Sequence, residues 1–339
     1  MEGKPSLHGC LLGVAIGDSL GLPFEGLSRQ RVARKLRSSP LQQSLLFGKG
    51  MLSDDTEQSC LVIEAVRLSE GDAQCFQKIF ARRLKIWFLA LPAGVGLATV
   101  KSCTRLLFGV PSNKSGVNSA GNGAAMRTPV LGALFPSDSN ARRAFVDACS
   151  VVTHSDQRAI DGARVIAEAV AVSVQVAHGQ MSRDDLLNQI ETQCESREWK
   201  DILRRMKNVV DPAIFAEGIG CRERVSGFVM QSVPVALCVW LTEPKNPRVG
   251  LEMVIRLGGD TDTTGAMLGS LYGASLGPNA FPEEWKDHIL DYPRSLSYLE
   301  HLADTNTSSV PRVSWALCFA RNVIFFAVVL AHGLRRLLP

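Results

Sequence analysis

Nowhere in the 339 residues is there a Lys/Arg-rich run interleaved with aromatics; aromatic residues make up 6% of the chain, and the formal net charge is only +4. A surface that tracks nucleic-acid phosphates needs concentrated basic charge, so composition gives no direct support for a nucleic-acid partner. Close cysteine pairs are missing as well. The nine cysteines, from Cys10 to Cys318, are odd in number and scattered. That spacing argues against a disulfide framework or a thiolate zinc site and fits reduced, buried thiols of a cytoplasmic protein. The start of the chain, from Met1 through a Gly-rich apolar stretch containing Asp18, lacks a secretory signal with its small-residue cleavage site. Alternating apolar and polar residues, the mark of half-buried strands, are scarce.

Helical periodicity built from small residues is what the chain does contain. Between Leu7 and Leu22, Gly9, Gly13, Gly17 and Gly21 stand among Leu11, Leu12, Ile16 and Leu20. Glycine lowers helix propensity, so close packing by another backbone has to compensate. Arg158 to Ala169 and Phe228 to Leu241 read as further buried helices, and Arg183 to Glu217 as peripheral amphipathic helices and loops. The expectation is an all-α fold: a single large multi-helix domain, for which the length is ample.

Chemistry concentrates in Gly258-Gly259-Asp260-Thr261-Asp262-Thr263-Thr264-Gly265. Residues two apart on a regular helix point to different faces, so Asp260 and Asp262 converge only on irregular backbone, for which the glycines supply freedom. Thr263 or Thr264 is expected to cap the helix that follows, with the acids at the positive end of its dipole. Such oxygen donors suit magnesium, manganese or calcium better than zinc. An EF-hand is excluded, because Leu271 stands where its bidentate Glu belongs. Asp-x-Asp-x-Thr also resembles the nucleophile motif of haloacid-dehalogenase-type phosphatases, but that motif normally opens its domain and here it comes late.

A second acid and hydroxyl cluster, Ser53-Asp54-Asp55-Thr56-Glu57-Gln58, leads into a helical pattern. A capping box of Asp55 with Gln58 accounts for one of the adjacent acids and not for both. Gly94-Val95-Gly96 reads as a tight turn rather than a dinucleotide fingerprint, since Thr99 stands at the third glycine position. Ser119-Ala120-Gly121-Asn122-Gly123 forms another glycine-rich turn, whose backbone donors suit phosphate. Arg127 beyond it either assists or is a buried structural arginine. Two residues stay open on the residues alone: Glu25, a loop acid or a catalytic one, and His154, packed or ligand-contacting.

Taken in order, Gly17-Asp18-Ser19 with Glu25, Ser53-Asp54-Asp55-Thr56, Gly121-Asn122-Gly123-Ala124-Ala125-Met126-Arg127, Thr153-His154 and Gly258-Gly259-Asp260-Thr261-Asp262-Thr263 resemble the motifs of the ADP-ribosylglycohydrolases, over roughly residues 7 to 280. The resemblance implies an all-α bundle with two Mg2+ or Mn2+ ions at the bottom of a cleft. Their ligands would be Ser53, Asp54, Asp55, Asp260, Asp262 and Thr263. Glu25 would stand beside the metals, with Glu25 and Asp55 as candidate catalytic bases. Gly94, Gly96, Ser119, Gly121, Asn122, Gly123 and His154 would hold ADP-ribose. The implied reaction is hydrolysis of an N- or O-glycosidic bond between ADP-ribose and a protein or small-molecule acceptor. Ala93 departs from the arginine-directed members, which carry an acid just before the first glycine pair, and puts arginine as the acceptor in doubt. An inactive ADP-ribose-binding or scaffold member is the alternative, and an Asp-dependent phosphatase the third reading.

Residues 1–303 are therefore expected to form the catalytic domain, 304–312 a polar linker and 313–339 a hydrophobic C-terminal helix. Val313 to Leu334 is long enough to span a bilayer, but Arg321 and Asn322 interrupt it. It either anchors the protein to a membrane or packs on the domain or on another copy.

Overall fold

The computed structural model describes residues 4–37, 40–307 and 309–335. In chain order, α1 (Leu7–Gly21), α2 (Arg29–Lys35), α3 (Asp54–Leu68), α4 (Ala73–Leu89) and α5 (Leu97–Leu107) are followed by α6 (Pro129–Leu134), α7 (Ser139–Ser150), α8 (Gln157–Ala171) and α9 (Ser173–Ala177). Next come α10 (Arg183–Glu191), α11 (Arg197–Met206), α12 (Pro212–Gly218), α13 (Val229–Thr242), α14 (Pro247–Arg256) and α15 (Thr261–Leu276). Three more helices, α16 (Glu283–Lys286), α17 (Leu296–Ala303) and α18 (Trp315–Arg335), complete the order. The fold is all-α, and among the described residues the only β-type pairings are isolated bridges.

Antiparallel α1 and α15 form the axis. Along their contact Gly9 faces Gly273, Gly13 faces Gly269, Gly17 faces Gly265 and Gly21 faces Thr261. The backbones are so close that a Cβ on Gly13 would lie 2.0 Å from the Gly269 carbonyl oxygen, and one on Gly17 1.9 Å from that of Gly265. Glycine every fourth residue puts a bare stripe on one face of each helix, which is why a glycine-rich sequence remains helical here. The opposite faces, Leu11, Ile16 and Leu20 among them, are fully buried. Helices α3, α6 and α17 pack on α1, while α8, α9, α13 and α14 pack on α15.

Capping follows local chemistry. Ser6 accepts from Gly9 N at the start of α1, and Ser53 from Asp55 N at the start of α3. The expected Asp55–Gln58 capping box does not form, because Gln58 Nε2 donates to Asp54 Oδ2 (3.1 Å) instead. Neither Thr263 nor Thr264 caps α15. That helix begins earlier, at Thr261 after Asp260, and the Thr264 hydroxyl bonds back to the Asp260 carbonyl (2.7 Å).

Adding one methyl to the axis should be far worse than adding one elsewhere. Gly17→Ala is expected to destabilise the fold by about 3 kcal/mol or more, the upper range for overpacking. Gly333→Ala, with nothing within 4 Å of its Cβ, should change stability by no more than about 1 kcal/mol. Chemical denaturation of both variants compares them directly.

Candidate active site

Loops at one end of the α1–α15 pair enclose a cleft of about 490 Å³. Isolated bridges tie these loops together, pairing Val117 with His154, Gly121 with Phe228 and Val225 with Gly259. Gly258 and Gly259 take positive φ, 67° and 87°, and a Cβ on Gly259 would sit 1.7 Å from the Val225 carbonyl oxygen. Only glycine allows that turn. It leaves Asp260 off the helix (φ −82°, ψ 67°) and Asp262 on its first turn, the irregular backbone that lets both acids serve one space. Gly26 N donates to Gly259 O (2.7 Å), which brings Glu25 to the same rim.

Two acid clusters far apart in sequence meet here. The Thr263 hydroxyl donates to Asp55 Oδ2 (3.2 Å), which also accepts from the Ser53 hydroxyl (3.2 Å). Asp260 Oδ2 accepts from Asn122 Nδ2 (2.6 Å). Beneath them Asp18, on α1, is fully buried; its Oδ2 accepts from Ser53 N (2.9 Å), Thr56 N (3.3 Å) and Thr56 Oγ1 (2.5 Å). Asp18 therefore holds the Ser53 turn against the axis. Among the described residues no guanidinium or ammonium donates a hydrogen bond to Asp18, Asp55 or Asp260, whose donors include hydroxyls, an amide and backbone N–H groups.

The consequences for protonation are large. Burial, followed by the negative charges of neighbouring acids, pushes Asp54, Asp55 and Asp262 well above the usual carboxylate range. Burial also raises Asp260, and raises Asp18 to about 6 against the opposing hydrogen bonds from Thr56 and Ser53. Buried Oδ1 atoms of Asp18, Asp55 and Asp262 have no hydrogen-bond partner. Orphaned oxygens in an all-oxygen donor set fit hard divalent cations. Among the described residues no three acidic, histidine or cysteine side chains close on one point; Ser53 and Thr263 would add hydroxyl donors to the carboxylates.

The other wall is glycine-rich. Gly94, Gly96, Ser119, Gly121, Asn122, Gly123 and His154 all line the cleft, as do Glu25, Asp54, Asp260, Asp262 and Thr263. Ser53 and Asp55 lie behind this lining, 4% and 1% exposed. His154 is buried. Arg127 Nη2 donates to the Thr153 hydroxyl (2.6 Å), which lies in hydrogen-bond contact with His154 Nδ1 (2.8 Å) and so sets the orientation of the ring. Burial first, and the Arg127 charge second, lower the imidazole to about 3. The ring passes under the glycine turn, where a Cβ on Gly123 would meet its Cε1 at 3.0 Å.

Arg127 is the buried structural arginine of the two readings. It is fully buried and also donates to Gln58 Oε1 (2.8 Å) and the Cys149 carbonyl (3.1 Å), so it braces α3 rather than meeting a ligand. Sequence reasoning missed Thr99, Met126 and the segment Arg224-Val225-Ser226-Gly227, all of which line the cleft. Gly220 and Gly227 flanking the short polar run Arg222-Glu223-Arg224 before α13 were the available signals.

With this geometry in view, comparison with known proteins assigns the class. Residues 4–313 match the family model for ADP-ribosylglycohydrolase, and the chain belongs to that family. It is 29% identical to an uncharacterized protein of Archaeoglobus fulgidus, over 89% of this chain and 95% of that one. It is 26% identical to the ADP-ribosylhydrolase ARH3 of Gallus gallus, over 82% and 87%, and 24% to that of Homo sapiens, over 84% and 89%. A solved structure of an ADP-ribosylglycohydrolase-related protein complex shares the fold, with a TM-score of 0.66 at 22% identity over 88% of this chain and 95% of that one.

Carboxyls raised on folding favour the folded state below their unfolded value, near 3.8, and withdraw that stability as pH rises through the folded one, about 6 for Asp18. Chelator-treated protein should accordingly lose melting temperature as pH rises through about 6, and Mg2+ or Mn2+ should restore it. A melting temperature unmoved by cation above that pH would contradict the fit.

Proposed function

We propose that this chain hydrolyses the glycosidic bond between ADP-ribose and an acceptor, with a divalent-metal pair in the cleft. The observation that carries the reading is the charge of the lining: Glu25, Asp54, Asp260 and Asp262 against the single guanidinium of Arg224. An anionic diphosphate ligand enters such a cleft only when cations neutralise the acids. Two Mg2+ or Mn2+ ions, held by Ser53, Asp54, Asp55, Asp260, Asp262 and Thr263, would supply that neutralisation and Lewis-acid charge beside the distal ribose.

The chain's own groups divide the remaining work. Ser119, Gly123 and neutral His154 line the cleft as uncharged groups for the ligand's phosphates and hydroxyls, while the Gly121 and Asn122 N–H groups are held by Ser119 Oγ and the Gly227 carbonyl and fix the shape of the turn. Gly94 and Gly96 form the opposite edge without side chains to fill it. Glu25 stands at the exposed rim, open to solvent, so we assign it the proton from the attacking water. Asp55, buried and accepting from two hydroxyls, is assigned to metal holding instead. Positive charge that develops on the sugar as the bond breaks is offset by the carboxylate wall.

Ala93 bears on the acceptor. It packs in an apolar cluster with Leu22, Leu45, Met51 and Phe325 of α18 and is not part of the cleft lining, and the lack of an acid at this position supports an acceptor other than arginine. We further divide the chain into a catalytic domain (1–303), a linker (304–312) and a C-terminal helix (313–339). The nine unpaired cysteines support a cytoplasmic location, and the exposed apolar face of α18 supports contact with a membrane.

Two substitutions separate the roles. Asp262→Asn should abolish release of ADP-ribose from an ADP-ribosylated substrate and also the stabilisation by Mg2+. Glu25→Gln should lower kcat by about 10²–10⁴ while metal still raises the melting temperature. Turnover by Asp262→Asn at the wild-type rate would overturn the assignment.

A further inference from the structure

Among the described residues, two helical stretches are long and apolar enough to cross a bilayer, and they are placed oppositely: Leu7–Phe24 is 94% buried, Trp315–Leu334 22%. The first is the core axis. The second, α18, lies against the domain along one face and leaves the rest of its surface open.

The docked face carries the polar groups. Arg321 Nε and Nη2 bind the two carboxylate oxygens of Asp291 (3.0 and 2.5 Å), and Nη2 also reaches the Leu52 carbonyl (2.5 Å). Asn322 Nδ2 donates to the Ala90 carbonyl (2.9 Å), and His332 Nε2 lies 3.1 Å from the Pro23 carbonyl. Phe325 is 2% exposed on the same face. Outward, every exposed position from Trp315 to Leu334 is apolar, including Phe319, Ile324, Phe326 and Leu330. The helix is thus amphipathic in reverse, with its polar side spent on the domain.

A second, independent segment joins that face. Leu46 and Lys49 exchange backbone hydrogen bonds around Phe47-Gly48, a two-residue turn with both central residues at positive φ. Asn or Gly suits its first position. Phe47 holds it instead, at φ 48° and 97% exposed, beside Ile324 and Val328 of α18. Neither backbone preference nor packing inside the protein accounts for a phenylalanine there.

Charge selects the occupant. No acidic residue occurs from Thr305 to Pro339, and Arg312 and Arg335 bracket the apolar stretch. On α4, Arg82 and Lys85 lie one turn from exposed Ile86 and Leu89, and the Trp315 indole N–H donates to the Ile86 carbonyl (3.2 Å). An apolar stripe of about 31 Å with a basic margin fits anionic headgroups over acyl chains. We propose that α18 lies in the plane of an anionic lipid bilayer without spanning it, with the Phe47 turn inserted beside it. This rests on the membrane contact proposed above and specifies its geometry. Spanning would instead strip Arg321 from Asp291 and carry it into hydrocarbon.

The test is flotation of the full chain with vesicles of phosphatidylcholine alone or mixed with phosphatidylserine, followed by alkaline carbonate washing. The expected result is binding that requires phosphatidylserine, is released by carbonate, and falls roughly tenfold or more in Phe47→Asp and in Phe326→Asp. Both variants should keep the wild-type melting temperature, since their side chains are exposed. Carbonate-resistant binding would overturn the in-plane geometry while keeping membrane contact. Absence of flotation, or a dimer in sedimentation that the same two substitutions dissociate, would overturn the lipid assignment altogether and point to a second copy as the occupant.

Discussion

The approach of α1 to α15 is the constraint on which the rest depends. Dispersion between two bare backbones is short-ranged, so it holds the pair only while no side chain intervenes. Because glycine recurs at the same interval on both helices, only one axial register lets all the gaps coincide. That register sets Asp18, next to Gly17, and Asp262, next to the Gly21–Thr261 contact, at the same end of the pair. The Thr261 hydroxyl donates to the Gly21 carbonyl (2.8 Å) and locks it. Asp18 then fastens the Ser53 turn, and the second acid cluster is carried into place by the axis itself.

Crowding acids at that end works against folding. Burial raises Asp18, Asp54, Asp55, Asp260 and Asp262, and among the described residues none of the five accepts a hydrogen bond from a guanidinium or ammonium. Proteins keep such local conflicts where function needs them and compensate elsewhere. Here the compensation is a fully buried axis and the Arg127 brace, which ties Gln58 of α3 to Thr153 and thereby orients His154. One arginine so serves both walls of the cleft without entering it.

Much of this was legible in the residues. Glycines among leucines in Leu7–Leu22 announced a buried helix meeting another backbone, and Gly258-Gly259 announced the irregular turn before two acids. Other features were hidden because they depend on tertiary partners. Asp18 looks like an anomaly in an apolar helix until Ser53 and Thr56 are seen to donate to it. The Arg224–Gly227 strip follows a polar region that reads as peripheral, and only the bridge from Val225 to Gly259 brings it to the cleft. The box of Asp55 with Gln58 failed because Arg127 claims Gln58 Oε1 and turns its amide toward Asp54. For α18, hydropathy could not distinguish spanning from docking, since Arg321 and Asn322 gain meaning only from Asp291 and Ala90 on the domain.

The central claim is that the register of α1 on α15 assembles one divalent-cation site from two distant acid clusters. Anomalous diffraction from crystals grown with Mn2+ tests it most directly. The account predicts two maxima between the Ser53–Asp55 turn and the Asp260–Thr263 turn. Maxima elsewhere, or none at that position with the carboxylates ordered, would contradict it.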